Sequence, residues 1–308
     1  MKSPAKYLVA IFVMLLAASC SSFFDDLSKC ITPRLHFVYY ADGTDDVLPN
    51  YIKDGRLYIY DEAGKLHHSQ ILGSAALREG VELKDIHSGK WTVVAWGNLT
   101  DATERREEAD LVKATLTALP DKDGIYRTTD SLYYAEYVLD FSKIKSADVE
   151  VPFSAAHVSL DVVVKGFDAT HAGRTPLLKV APSGTKYTLA GYNGKITVNP
   201  TELKSFLPYT GHSQSDDLYR ARFDLFRIDQ IADVAISLGD AADEAMAPYV
   251  NVPLHQYVTE HKIPLKGRHE VNIPVLITFE QDASYGLIVK VNTFEWNSIQ
   301  IKPDGYKQ

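Results

Sequence analysis

Cysteine is almost missing from this chain, with 2 residues in 308. Both, Cys20 and Cys30, fall within the first thirty positions. No disulfide framework can therefore hold a fold that begins after them, and a four-cysteine metal site is excluded. Long apolar runs are scarce too. The one that stands out, "YLVAIFVMLLAA" from Tyr7 to Ala18, has 12 residues, whereas a helix needs about 20 to cross a bilayer core. Positive charge is in short supply, with 32 Lys and Arg against 40 Asp and Glu and a formal net charge of −8. Such a balance repels phosphate backbones and argues against a nucleic-acid partner.

Reactive constellations are missing as well. There is no G-x-S-x-G elbow, no P-loop, no G-x-G-x-x-G turn and no H-E-x-x-H helix. His67 and His68 are adjacent, so on a strand they point to opposite faces and do not converge on one metal. His255, His261 and His269, with Glu260 and Glu270 nearby, lack any zinc spacing. "DKDGIY" (Asp121 to Tyr126) opens like a calcium loop but lacks the later ligands and the bidentate Glu, and reads as a turn. Paired carboxylates of a glycosidase carry no signal where 40 acidic residues supply pairs everywhere. The chain is read as no enzyme, with no cofactor, no metal and no small-molecule substrate.

What is present begins at the N-terminus. Lys2 and Lys6 precede the apolar run, which is the pattern of an export signal over residues 1–19. Ala17, Ala18 and Ser19 lead into Cys20, and this exit resembles a bacterial lipobox. Cleavage is expected between Ser19 and Cys20, leaving Cys20 with a thioether-linked diacylglycerol and an N-palmitoyl group. The departure is Ala17, where Leu is commonest. Two or three acyl chains hold a protein firmly to a bilayer, whereas one holds marginally. With the Cys20 sulfur in a thioether, Cys30 is left as a buried thiol, an intermolecular bridge or a relic. Residues 20–34 read as the lipidated tether.

After the tether the apolar period becomes two. "RLHFVYY" sets Leu35, Phe37 and Tyr39 against Arg34, His36 and Val38. "GRLYIYDEAGKLHHSQIL" is two runs around a turn at Asp61 to Gly64. "GKWTVVAWGNL" is apolar on both faces, the mark of a central strand. "DATERREEADLVKATLTAL" (Asp101 to Leu119) is the one helix candidate, although "KATLTAL" has strand character. Strand patterns resume in "EVPFSAAHVSLDVVVKGF", in a hairpin around Tyr192 to Gly194, in "YRARFDLFRI", in "GRHEVNIPVLITFEQ" and in "YGLIVKVNTFEWNSIQIKP". Many short strands with turns between them predict an all-β chain of two tandem β-sandwich domains, residues 35–150 and 151–308.

Several of these pieces, in this order, resemble one family. They are the lipobox cysteine with "DDLSKC" ten residues on, "FVYY", "GRLYIYDEAGKL", "HSGKWTVVAWGNL", "DSLYYAE", "VEVPFSAAHVSLDVVV" and the late "WNSIQIKP". The set is similar to the FimB-like anchoring subunits of Bacteroidetes-type (type V) fimbriae and spans nearly the whole mature chain. The resemblance implies two transthyretin-like (Ig-like, Greek-key) β-sandwiches on an outer-membrane, surface-exposed lipoprotein. It also implies a chain that fixes a fimbria to the cell, limits its length and meets fimbrillin-type subunits by strand addition. Two strands are candidates for that contact, Leu35 to Tyr40 and Phe294 to Ile301. The alternative is a surface lipoprotein that binds a glycan or another host or nutrient ligand, with "YYAEY" (Tyr133 to Tyr137) as a stacking platform among 33 aromatic residues, 3 Trp, 18 Tyr and 12 Phe. Asp130 to Leu132 also resembles an O-glycosylation tripeptide.

Overall fold

Alternation of apolar and polar side chains sets the first strand, β1 (Arg34–Val38), which buries Leu35 and Phe37 and leads into buried Tyr39. The computed structural model describes residues 32–106, 108–188, 202–227, 233–243, 247–265, 267–284 and 286–295. β2 (Gly55–Tyr60) and β3 (Leu66–Leu72) form the hairpin read from the sequence. Its turn is closed by the Asp61 carboxylate, which accepts the backbone N–H groups of Ala63 and Lys65, each at 2.9 Å, and by Gly64 at φ +75°. β4 (Val81–Glu82), β5 (Lys90–Gly97), β6 (Thr103–Arg106), β7 (Thr115–Ala118), β8 (Tyr133–Asp140), β9 (Asp148–Pro152) and β10 (Ser154–Ala155) follow. They build a three-stranded sheet, β4-β1-β9, and a five-stranded sheet, β10-β8-β5-β2-β3.

The five-stranded sheet is covered on both faces, as the doubly apolar pattern of β5 requires. Leu57, Ile59, Val93 and Ala95 pack with Leu35, Phe37 and Val151 in one core. Tyr58, Tyr60, Val94 and Trp96 pack the opposite way into a second core, which runs on through the rest of the chain. Burying side chains of this kind contributes about 1.5–3 kcal/mol each.

The later strands are β11 (His157–Lys165), β12 (Pro176–Thr188), β13 (Glu202–Phe206), β14 (Gly211–Ser213), β15 (Leu218–Phe226), β16 (Ala235–Asp240), β17 (Val250–Pro253), β18 (Asn272–Gln281) and β19 (Leu287–Asn292). One sheet runs β14-β15-β11-β18-β19 and another β17-β16-β12-β7-β6, with β13 also on β12. Val158, Leu160, Val162 and Val164 share the buried face of β11. The opposite face is buried as well and holds Asp161, 0 % exposed, which is gripped by the Arg220 guanidinium across β15. The whole is an all-β, sandwich-type fold.

Two observations differ from the sequence reading. Residues 101–119 form no helix. They make β6 and β7, whose pairing of Lys186 with Thr117 and Thr188 with Thr115 joins this early segment to β12. Outside the one stretch read as helical, a helix at Leu254–Glu260 carries His255 and buries Leu254, Tyr257 and Val258. The hairpin expected at Tyr192 to Gly194 lies outside the described residues.

Candidate functional site

For a chain read as a holder, the site consists of the tether's entry, the junction between strand sets and the open sheet edges. Ser19, Cys20 and Cys30 lie outside the described residues. The chain is pinned as soon as it enters β1: the Pro33 carbonyl accepts the Leu83 N–H at 2.8 Å, and the Arg34 N–H reaches the Ala147 carbonyl at 2.7 Å. The Arg34 guanidinium pairs with Glu82 at 2.5 Å. β1 lies between two partners, antiparallel to β4 and parallel to β9 from Arg34↔Asp148 to Val38↔Pro152. It is an inner strand at Arg34 and Leu35, where the idea of an open edge gives way; from His36 to Val38 its strand partner is β9 alone. Of the other candidate, Phe294 to Ile301, residues 296–301 lie outside the described residues.

The junction is built from tyrosines. Tyr39, just after β1, and Tyr133, on β8, both donate their hydroxyls to Oε1 of Glu270, Tyr133 at 3.0 Å. Their rings meet edge to face at 4.9 Å, with Tyr51 at 5.3 Å from Tyr39 and His157 at 5.3 Å from Tyr133. Burial, reinforced by the Glu270 carboxylate, pushes both phenols far above the usual tyrosine range. Beside them the Asp42 carboxylate accepts the His269 N–H at 2.9 Å and faces Arg268 at 3.6 Å. The Arg227 guanidinium holds the same loop through the carbonyls of Leu265, Arg268 and His269. Glu270, weighed in the sequence as a metal-ligand neighbour, is instead the acceptor that ties the end of β1 and β8 to the bend leading into β18.

Other sequence candidates fall into place around this frame. Tyr133 and Tyr134 are 3 % exposed, so "YYAEY" is packed strand and offers no flat platform to a sugar. His67 and His68 sit on exposed β3, His67 against the Trp91 ring at 4.8 Å. His255 is on the late helix and His261 packs on Tyr257. Asp121 closes a turn by accepting the N–H groups of Asp123 and Ile125, and pairs with Arg127 at 2.8 Å. The Arg127 guanidinium, ahead of the backbone bonds, holds its carboxyl down at about 2. Ser131 is exposed, with its hydroxyl donated to Asp224. Among the described residues no helix is long and apolar enough to cross a membrane.

Among the described residues the four sheets end in β4 and β9, β10 and β3, β14 and β19, and β17 and β6; of these, β3, β6 and β19 bear most on recruitment. β3 is covered at its start, where Leu66 donates to the Ala109 carbonyl at 3.1 Å, and then exposes Ile71 by 75 %. β19 leaves Leu287 and Ile288 half in solvent. Uncovered edges of this sort are what a second chain pairs with. Sequence reasoning missed β6 because its residues read as helix.

The comparisons with known proteins bear on this arrangement. No curated protein matches the chain. A solved structure from Bacteroides ovatus, classed provisionally as an adhesin, is 16 % identical, with a TM-score of 0.68 over 86 % of this chain and 93 % of that one. The fimbrial anchor protein Mfa2 from Porphyromonas gingivalis is 15 % identical, with a TM-score of 0.60 over 85 % and 98 %. A Bacteroides thetaiotaomicron structure, classed provisionally as polysaccharide-binding, is 16 % identical, with a TM-score of 0.61 over 86 % and 99 %. At such identities the likeness shows the fold. The family model of the fimbrillin-A associated anchor proteins Mfa1 and Mfa2 matches residues 27–302. Across nearly its whole length, then, the chain belongs to the fimbrillin-A associated anchor protein family.

Proposed function

We propose that this chain is an outer-membrane lipoprotein, anchored through acylated Cys20, that fixes a fimbria to the cell surface. In this reading it meets fimbrial subunits through β-strand contact and takes part in assembly and length control. Membership of an anchor family, which is structural rather than enzymatic, supports the fimbrial role. The observation that carries the finer reading is the lipobox-like exit into Cys20 directly ahead of that family match. The mature chain is taken as two sandwiches dividing near residue 150, the first lending β6 and β7 to a sheet of the second. The glycan-binding alternative loses its platform to the burial of Tyr133 and Tyr134.

Cys20→Ala tests the reading in cells. The variant should leave the membrane fraction and appear in the medium, with shed fimbriae beside it. Fimbriae that stay fixed to the mutant cells would overturn the anchoring role.

A further inference from the structure

Arg105 is a buried arginine with no carboxylate bonded to it. It lies on β6, 4 % exposed, with its guanidinium carbon 4.1 Å above the Tyr58 ring centre and 5.5 Å from that of Tyr60. Nη2 donates to the Tyr60 hydroxyl at 2.5 Å, while Nε and Nη1 are buried without an acceptor. Buried guanidinium groups are normally matched by a carboxylate or by carbonyls. Two other arginines here follow that rule, Arg220 on Asp161 and Arg227 on a ring of carbonyls. Of the described acids near Arg105, Glu108 accepts the Tyr58 hydroxyl at 2.7 Å and Glu104 accepts Nε of Arg106 at 2.6 Å, and neither is bonded to Arg105.

Arg105 also lines a cleft of about 570 Å³, whose walls include Arg56, Arg106, Thr100 and Thr103 together with the acids Glu104 and Glu108. Three arginines against two glutamates, each of which already accepts a hydrogen bond, thus leave an excess of positive charge around one opening on a chain of net charge −8. The strand that carries two of them, β6, is the last in its sheet.

We infer that this cleft takes a carboxylate from an extended acidic segment of a protein partner that lies along the open edge of β6. Main-chain bonds to β6 supply attachment and direction, and the carboxylate completes the hydrogen bonding of Arg105 and fixes the register. Arg56, exposed on β2, steers the acid into the opening. The inference rests on the proposed role in holding fimbrial subunits by strand contact, and names where one such strand docks.

The test uses the mature chain made soluble by Cys20→Ala. The probes are two fluorescent seven-residue peptides of alternating valine and threonine, one with a central glutamate and one with glutamine. Fluorescence anisotropy should show the glutamate peptide binding at least tenfold tighter, and Arg105→Met should abolish that preference. Arg56→Gln changes only an exposed side chain, leaves the fold intact and should cut the preference at least threefold. Equal affinity for the two peptides, or a preference untouched by both variants, overturns the inference. So does saturable binding of inorganic phosphate with no binding of either peptide, which would make the cleft a site for free anions. Release of fimbriae by Cys20→Ala without a peptide preference sinks the cleft and leaves the anchor standing. A peptide preference with fimbriae still attached in that mutant supports the cleft and sinks the anchor.

Discussion

Glu270 offers the sharpest test of the junction. Glu270→Ala removes the one oxygen that accepts both the Tyr39 and the Tyr133 hydroxyls. These side chains are 0 % and 3 % exposed, so water does not readily replace the lost acceptor. Each orphaned buried donor costs about 1–3 kcal/mol. The two share one acceptor and their rings touch, so the costs do not simply add. The expected loss is about 2–4 kcal/mol in total. Glu270→Gln keeps an acceptor and gives up the charge, which lowers the loss to about 1 kcal/mol. Tyr39→Phe in the Glu270→Ala background should be milder than in the parent, because its partner has already gone. Urea unfolding of the soluble Cys20→Ala chain reads these values from the midpoint at constant slope. A Glu270→Ala midpoint within about 0.5 kcal/mol of the parent would refute the argument that this carboxylate ties the strand sets together.

Three further predictions follow from the geometry. Leu35→Ala and Ile236→Ala each empty a fully buried site and should cost about 2–5 kcal/mol at equilibrium; pulled from the N-terminus by optical tweezers, only Leu35→Ala should lower the force of first yielding. Gly166 sits at φ +74° with its Cβ direction blocked by the Phe279 carbonyl oxygen, so Gly166→Ala should destabilise by about 2 kcal/mol or more, seen as a melting shift of several degrees. Burial raises the Tyr257 phenol, a donor to the Pro274 and Asn292 carbonyls, to about 12. Because the folded value lies above the unfolded value near 10, its stabilisation is complete below about pH 10 and is lost as pH rises towards 12. Absorbance at 295 nm should show it ionising after the exposed tyrosines, and Tyr257→Phe should flatten the alkaline fall in stability.

Much of the frame was legible because strand burial writes itself into a period of two. Leu35, Phe37 and Tyr39 came out buried as alternation required, and β5 came out covered on both faces because both of its faces are apolar. The segment 101–119 failed for a physical reason. "TERREEADLVKATLTAL" has good helix formers and a charged start, but propensity is a weak prior against tertiary demand. Here the second face of β2 needs a cover, and Arg105 supplies it by lying over Tyr58 while Leu116 and Ala118 fill the core. No local pattern announces that an arginine will be buried among tyrosines. The junction was equally silent, since Tyr39, Tyr133 and Glu270 are far apart in the chain and Glu270 shows no spacing that marks it as a shared acceptor.

The placement of β1 fits a load-bearing role better than an adhesive one. On the proposed reading an anchor carries tension from a long filament to its N-terminal attachment, and the described chain enters the fold at Thr32 to Arg34. Were β1 an outer strand held from one side, a pull on the tether would peel it away one bond at a time. It is flanked by β4 and β9 instead, locked at its start by Arg34 and Glu82 and at its end by Tyr39 on Glu270. A pull along the strand meets the parallel pairs from Arg34↔Asp148 to Val38↔Pro152 together, in shear. The same logic separates the two ends of the task. The strand that follows the proposed tether is partnered on both sides at its start and by β9 along its length. The outer strands β6, with its unmatched guanidinium, and β19, with its exposed aliphatics, belong to sheets other than that of β1. On the proposed reading holding and recruiting fall to different strands, and strengthening one need not close the other.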